Sequence, residues 1–194
     1  MLTVFRRKLL FSHNCALFNV IKSNSFSSFL PHVYANDLNK NAIELDKDTS
    51  IFAKEAGISH YPSELIIQIL THKSHYNGEA SHNDRLNYIG TTFLEFYGIK
   101  KHTGDIEESN ILDFQRNELY RSRHVLSIVA TNLMIPELVR FTDFEGTNHN
   151  PKIVGAQAVA ALVGAIYHYE GIQSAEKFVS KFIDPIVKQI KSKK

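Results

Sequence analysis

The sequence contains a single cysteine, Cys15, among its 194 residues. One thiol excludes an internal disulfide framework, and the chain has no Cys/Cys or Cys/His cluster of the kind that holds a structural zinc ion. We therefore expect a reducing compartment or an organelle matrix. Apolar residues make up 43% of the chain, which is enough to bury one sizeable core, so the length predicts one domain with short extensions.

The sequence also lacks a long hydrophobic run. The longest apolar stretch, from Val154 to Tyr167, contains Gln157 and is shorter than the ~20 residues that an α-helix needs to span a bilayer. No membrane span is predicted. Strands are not indicated either, because no alternation of apolar and polar residues continues over a useful length. The fold class is therefore predicted to be all-α.

Acidic residues are missing from both ends of the chain. Residues 1–36 contain four basic residues, residues 186–194 contain four lysines, and neither segment contains an acid. The other 14 basic residues stand against all 20 acidic residues, so the body between the two ends has a formal charge of −6. A domain that binds nucleic acid over a wide surface needs a basic patch. We therefore expect any contact with RNA to be local.

The first 36 residues have the composition of a mitochondrial targeting presequence. They are basic, free of acids and rich in Ser, Asn and Phe, and Ser12–Asn14 interrupt the apolar core that a secretory signal would need. The apolar residues that share one helical face are Leu2, Phe5, Leu9 and Leu10. The predicted location is the mitochondrial matrix. A basic arm that stays attached to the protein is the alternative.

The rest of the chain divides into a connector at 37–60, a domain at 61–185 and a basic C-terminal tail at 186–194. Helical spacing predicts one helix from Ser63 to Leu70 and another from Asp84 to Tyr97, with Gly98 ending the second. Pro136 is expected to mark the exit from a later helix. Further helices are predicted around residues 111–122, 124–133, 154–169 and 174–191, the last interrupted at Pro185.

Three segments of the domain carry a recognisable pattern. They read Leu70-Thr71-His72-Lys73-Ser74, then His82 to Gly90, then Ala158 to Tyr167 followed by Glu170-Gly171. In order and separation, over about residues 61–183, they resemble the ribonuclease III endonuclease domain. The resemblance implies the helical fold of that domain. No double-stranded-RNA-binding domain is expected in addition, because the remaining segments are too short or too polar.

The resemblance also points to four positions that carry acidic residues in active members of that family. They are occupied here by Asn87, Thr91, Gln157 and Ala160. Spacings of four and three residues place each pair on one helix face, where carboxylates hold the Mg²⁺ that activates water. Magnesium requires at least one or two carboxylates, whereas these side chains offer neutral oxygens or none. The resemblance therefore implies a degenerate domain with no catalytic residue, metal or other cofactor.

A shifted register remains open, in which Asp84 or Glu95 supplies a metal ligand. Three histidines also invite a metal site, but a structural or solvent-facing role is favoured for His72, His75 and His82 because no partner ligands accompany them. Tyr88 stands where the family places an aromatic residue that packs into a partner subunit, and an ordinary core aromatic is its alternative. The residues predicted to contact RNA are Lys73, Arg85, Lys100, Lys101, Lys188, Lys191, Lys193 and Lys194.

A degenerate ribonuclease III domain behind a mitochondrial presequence is similar to the large-subunit proteins of the fungal mitochondrial ribosome that have reused this fold. We expect a non-catalytic structural component that contacts ribosomal RNA, a related ribonuclease III-like protein and other large-subunit proteins. Two alternatives stay open. One is a short ribonuclease III-type enzyme that processes mitochondrial ribosomal RNA, and the other is a partner of such a nuclease outside the ribosome.

Overall fold

A computed structural model of the chain describes residues 44–102, 118–143 and 150–192, all in one compact unit. These residues contain no β-strand, only an isolated parallel bridge between Thr71 and Arg140. The predicted all-α class is therefore confirmed. The helices are α1 (Lys47–Ala56), α2 (Ser63–Leu70), α3 (Asp84–His102), α4 (Arg123–Asn132), α5 (Ile135–Leu138), α6 (Pro151–Glu170), α7 (Ile172–Phe182) and α8 (Asp184–Ser192). A 3-10 turn spans His75–Gly78, and residues 118–121 are helical.

Some of the predictions concern residues that the structure does not describe. The predicted presequence at 1–36 lies outside the described residues, as do residues 111–117 of one predicted helix and the last two lysines, Lys193 and Lys194. Within the described ranges, no helix is both long enough and apolar enough to cross a membrane.

Helix α6 is the centre of the fold. It contacts α2, α3, α4, α5 and α7, and every residue from Val154 to Ile166 except Gln157 is buried. Small residues make this possible, because Ala and Gly let neighbouring helices approach the backbone from several directions. The helix starts where the side chain of Asn150 accepts a hydrogen bond from the Ile153 backbone N–H (3.0 Å) and ends at Gly171, whose φ is 86°.

Part of the segment predicted as a connector is helix α1, which belongs to the domain. The carboxylate of Asp46 accepts a hydrogen bond from the backbone N–H of Thr49 (2.7 Å) and caps the first turn. Phe52 and Ala53 are buried in the main core, and Gly57 ends the helix in the left-handed conformation. The segment contains few apolar residues, but a short helix can dock on the core by burying only one face.

One predicted helix end is wrong. Helix α3 continues through Gly98 to His102, because Lys100 and Lys101 in its last turn bond to carboxylates of α7 and α8. These contacts offset the cost of about 1 kcal/mol that a glycine imposes inside a helix. The helix predicted around 124–133 ends as expected, since α4 stops at Asn132, and Pro136 lies beyond that end in the first turn of α5, where its fixed φ suits a helix start.

The segment predicted as a basic tail is mostly an ordered helix. Helix α8 begins at Asp184 after a break at Ile183, close to the predicted interruption at Pro185. Val187 on α8 is buried, and Ile186 and Ile190 pack against the core. The apolar residues spaced three and four apart dock the helix, whereas Lys188 stays exposed. The domain therefore extends beyond residue 185.

A buried carboxylate joins three separate parts of the fold. Asp184 is only 4% exposed and accepts hydrogen bonds from the hydroxyls of Tyr97 (3.2 Å) and Tyr120 (2.9 Å) and from the ammonium of Lys101 (3.1 Å). Burial raises the pKa of both tyrosines, and the bond to Asp184 raises the pKa of Lys101. The three donors compensate the desolvation of the carboxylate, so this cluster fixes α8 against α3 and residues 118–121.

Candidate functional site

Helices α3 and α6 cross with their backbones in contact. A Cβ atom added to Gly90 would overlap the carbonyl oxygen of Ala160, and one added to Gly164 would overlap the carbonyl oxygen of Leu86. The two contacts run in opposite directions along the chain, so the helices are antiparallel at the crossing. Glycine is required at both positions because no other residue lets two helix backbones approach so closely.

The four positions singled out in the sequence lie at this crossing. Thr91 follows Gly90, and Asn87 and Gln157 each lie one turn from a residue of the Gly90–Ala160 contact. The side chains of Asn87 and Thr91 are half-buried, with the Thr91 hydroxyl 3.4 Å from Asn87 Oδ1, while Ala160 is fully buried. All four residues therefore lie on the two crossing helices, within one turn of the Gly90–Ala160 contact.

Gln157 breaks the otherwise apolar surface of α6. The side chain is half-buried, and its Oε1 atom is buried without a hydrogen-bond partner among the described residues. An unpaired buried acceptor costs roughly 1–3 kcal/mol, so such groups are rare in folded proteins. The sequence indicated this residue only by its place in the family pattern; its unsatisfied oxygen is a property of the tertiary structure.

The donors at the crossing do not fit a magnesium centre. Two amides and a hydroxyl supply neutral oxygens, whereas Mg²⁺ is bound through carboxylates. In the described ranges, no group of three or more His, Cys, Asp and Glu side chains is arranged to hold a metal ion.

The two carboxylates considered for a shifted register both face basic side chains. Asp84 lies 3.5 Å from the ammonium of Lys73, and Glu95 lies 3.8 Å from the guanidinium of Arg121. Each carboxylate side chain is about half exposed, at 46% and 50%. Pairs of this kind contribute little to stability, and they give each carboxylate a partner other than a metal ion.

The three histidines have local partners. His72 is buried, and its Nδ1 atom accepts a hydrogen bond from the backbone N–H of Ser74 (3.1 Å) and lies 2.9 Å from the Ser74 hydroxyl. The ring of His75 packs against that of Tyr76 at a tilt of 56°, with 4.2 Å between centroids, and Nδ1 of His82 lies 3.4 Å from the backbone nitrogen of Asp84. His72 therefore has a structural position at the junction of α2 and the loop that follows it.

Tyr88 is not a core residue. Its side chain is 76% exposed, which rules out the alternative of an ordinary core aromatic. Phe96 and Ile99 are 49% and 43% exposed and lie eight and eleven residues further along α3, on the same face. We call Tyr88, Phe96 and Ile99 the outer stripe of α3. Phe96 and Ile99 were not predicted from the sequence, although their helical spacing from Tyr88 indicates that they share its face.

The predicted RNA-contacting residues that the structure describes lie on three elements: Lys73 in the loop after α2, Arg85, Lys100 and Lys101 on α3, and Lys188 and Lys191 on α8. Lys100 is bonded to Glu176 at 2.6 Å and Lys101 to Asp184 at 3.1 Å, so both charges are already balanced. Arg85 is exposed near the start of α3, and Lys188 and Lys191 lie on α8.

Comparison with known proteins identifies the domain. A family described as Ribonuclease-III-like matches residues 62–186. The chain is 29% identical over 136 residues to Ribonuclease 3 of Cupriavidus pinatubonensis, which covers 66% of this chain and 50% of that protein. It is 26% identical over 150 residues to Ribonuclease 3 of Nitrosomonas europaea, covering 74% and 59% respectively. The chain thus spans about half the length of the curated relatives that it matches.

Solved structures agree on the fold. Two structures of the nuclease domain of ribonuclease III from Campylobacter jejuni match with TM-scores of 0.58 and 0.59, at 20% and 21% identity. The matches cover 69% and 72% of this chain and 94% and 96% of those domains. At this identity the likeness establishes the helical architecture alone. Because the family match includes more than half of the residues, the chain belongs to the ribonuclease-III-like family.

Proposed function

We propose that this protein is a non-catalytic ribonuclease-III-like domain that serves as a structural component of the mitochondrial large ribosomal subunit. The observation that carries the proposal is the absence of a carboxylate at all four crossing positions, Asn87, Thr91, Gln157 and Ala160. Without carboxylates the crossing offers no compensation for dehydrating Mg²⁺, and the hydrolysis of phosphodiesters by this fold requires that ion.

The mitochondrial part of the proposal is supported by composition. The acid-free, basic and Ser-rich segment at 1–36 is typical of a targeting presequence. The formal charge of −6 on the body also favours a protein that is held in a larger assembly through protein contacts, with RNA contact at a few places.

Pairing with a related chain is supported by the outer stripe of α3. Tyr88, Phe96 and Ile99 form an exposed apolar line on one helix face, and a well-packed partner would remove it from water. One of the matching Campylobacter jejuni structures is described as showing flexibility in a region involved in dimer formation of its nuclease domain. We propose a second ribonuclease-III-like chain as the partner on this face.

An enzyme is the second candidate, because the curated relatives are named Ribonuclease 3. In that case the protein would be a short nuclease that trims mitochondrial ribosomal RNA, using Asp84 or Glu95 as metal ligands. Both carboxylates are about half exposed, and each faces a basic side chain, which argues against a shared metal site. The third candidate, a non-ribosomal partner of such a nuclease, is compatible with the same four residues at the crossing.

A cleavage assay separates the first two candidates. We expect the purified protein to leave double-stranded RNA intact in Mg²⁺ or Mn²⁺, with Ribonuclease 3 of Cupriavidus pinatubonensis as the positive control. Cleavage that survives purification and disappears in Asp84→Ala or Glu95→Ala would overturn the non-catalytic assignment. The fourfold variant Asn87→Glu, Thr91→Asp, Gln157→Asp and Ala160→Glu is expected to gain Mg²⁺ binding in calorimetry, because it restores the missing charges.

Sedimentation tests the ribosomal assignment. In a mitochondrial extract separated on a sucrose gradient, the protein is expected in the large-subunit fractions and to leave them when the subunit is dissociated. Recovery in light fractions together with an active nuclease would instead identify the partner role outside the ribosome.

A further inference from the structure

A second candidate site lies away from the crossing, where the first turns of α4 and α6 face each other. The two turns form an open groove with a volume of about 310 Å³, which we call the α4–α6 groove. Its lining residues are Arg123, His124, Ser127, Asn150, Lys152 and Ile153. None of these residues was selected by the sequence analysis, because Arg123 and Lys152 are 29 positions apart and neither belongs to a basic run.

The charges of the α4–α6 groove are unbalanced. Arg123, His124 and Lys152 line it, and none of the described lining residues is acidic. Neither α4 nor α6 carries an acid in its first turn. Within the described ranges, the side chains of these three residues make no ion pair, although acids are as numerous there as basic residues. Basic groups left together without a counter-charge repel one another, and a bound anion would remove that repulsion.

The backbone adds to the positive potential. Helix α4 starts after Ser122, whose side chain makes no capping hydrogen bond to the first N–H groups of the helix. Helix α6 starts with Pro151, and the side chain of Asn150 is already used by the Ile153 N–H. The positive ends of two helices thus border the same groove as the basic side chains.

The larger groove on the surface provides a contrast. Its volume is about 540 Å³, and it is lined by Tyr97, Lys100, Lys101, Gln173, Glu176, Lys177 and Ser180. Lys100 is bonded to Glu176 there, and Lys101 is bonded to the buried Asp184. Most of the basic charge of that groove is already compensated by the protein itself, whereas the charge of the α4–α6 groove is not.

We propose that the α4–α6 groove binds the phosphodiester backbone of RNA, with Arg123 and Lys152 each contacting a phosphate. The groove is shallow and has one apolar lining residue, Ile153, so it has no pocket for the side chains of a phosphopeptide. Backbone contact without base readout is the mode that a few basic side chains and helix ends supply. This inference rests on the proposed RNA-associated function and locates one contact for it.

The test uses the full chain and a fluorescein-labelled RNA hairpin, with binding followed by anisotropy across a series of KCl concentrations. In the double variant Arg123→Gln/Lys152→Gln, we expect the slope of log K against log salt to fall by about 1.5 to 2 and the affinity to fall about tenfold at moderate salt. The matched control, Lys47→Gln/Lys54→Gln on α1, removes the same charge at another place. It is expected to retain a higher affinity and a steeper salt dependence than the groove variant. Circular dichroism melting establishes that both variants fold.

Two results would overturn the proposal. One is an unchanged salt slope in the Arg123→Gln/Lys152→Gln variant, and the other is an equal loss in the α1 control, which would mean that overall charge alone matters. A phosphoserine peptide serves as the competing ligand: if only its binding is lost in the groove variant, the groove belongs to a protein partner and the RNA assignment is wrong. The binding assay uses purified components and does not depend on the ribosome. Absence of the protein from the ribosome would therefore refute the proposed function but would not decide whether the groove binds RNA.

Discussion

Gly90 lies against the carbonyl oxygen of Ala160, so closely that a Cβ atom at Gly90 would overlap it. This contact sets the distance between α3 and α6 and thereby the position of every side chain at the crossing. In this protein the geometry at the crossing is present while the positions beside it carry Asn87, Thr91 and Gln157 rather than acids. The close packing of these two helices therefore does not require acidic side chains at the positions beside the contact.

Replacing Gly90 tests how rigid this contact is. We expect Gly90→Ala to destabilise the protein by about 3 kcal/mol or more, because the methyl group meets backbone atoms that cannot rotate away. Gly155→Ala is the matched control on α6, where the nearest atom to the new Cβ is the Ala130 side chain at 3.3 Å. Urea unfolding measures both variants. Equal losses of stability in the two would mean that the crossing relaxes easily.

The buried carboxylate of Asp184 provides a second prediction. Asp184→Ala leaves the Tyr97 hydroxyl and the Lys101 ammonium without their acceptor, and we expect a loss of about 3–5 kcal/mol in the free energy of unfolding. Tyr97→Phe removes one donor at 3.2 Å and should cost about 1 kcal/mol. If Asp184→Ala is no more destabilising than Tyr97→Phe, the cluster does not hold α8 in place.

The cap of α1 makes stability depend on pH. Hydrogen bonds from Thr49 lower the pKa of Asp46 below its ordinary value of 3.8. A lowered folded pKa means that the stabilisation is present above the unfolded pKa and is lost as the pH falls through the folded one.

We therefore expect Asp46→Ala to cost about 1 kcal/mol at neutral pH and less near pH ~2. Asp46→Asn, whose side chain can still cap the helix, should lose less at neutral pH. Thermal melting of the three proteins at both pH values measures this difference. A gap between wild type and Asp46→Ala that widens in acid would contradict the assignment of the cap.

Tyr88 provides a test of the outer stripe. If it anchors a partner, Tyr88→Ala should weaken association with the related chain by about 2 kcal/mol, or roughly 30-fold in the dissociation constant. Tyr76→Ala is a suitable control, because Tyr76 is also a highly exposed tyrosine, at 69%, but lies in the loop before α3. Sedimentation velocity of the purified pair measures the dissociation constant. Full association of the Tyr88 variant would place the interface elsewhere.

Truncation is unsuitable for testing the basic C-terminal residues. Val187 on α8 is buried in the core, so removal of residues 186–194 would damage the fold as well as the charge. Substitution of the exposed Lys188 by Gln, alone or with Lys193 and Lys194, isolates the charge.

Much of this protein was determined by the local sequence. Helical spacing of apolar residues predicted α2 and the centre of α6, because a buried face repeats every three or four residues and needs no knowledge of its partner. The residue types at 87, 91, 157 and 160 establish on their own that no carboxylate stands there.

Only the tertiary structure decided where helices end and which charges remain unbalanced. Helix α3 passes Gly98 because Lys101 reaches Asp184, a residue 83 positions away, and no local rule contains that contact. Likewise, α1 and α8 are part of the domain because the core has room for one face of each. Arg123 and Lys152 form a groove only because α4 and α6 bring their first turns together. Local periodicity reports which face of a helix is buried, whereas ends, ion pairs and grooves depend on residues that are distant along the chain.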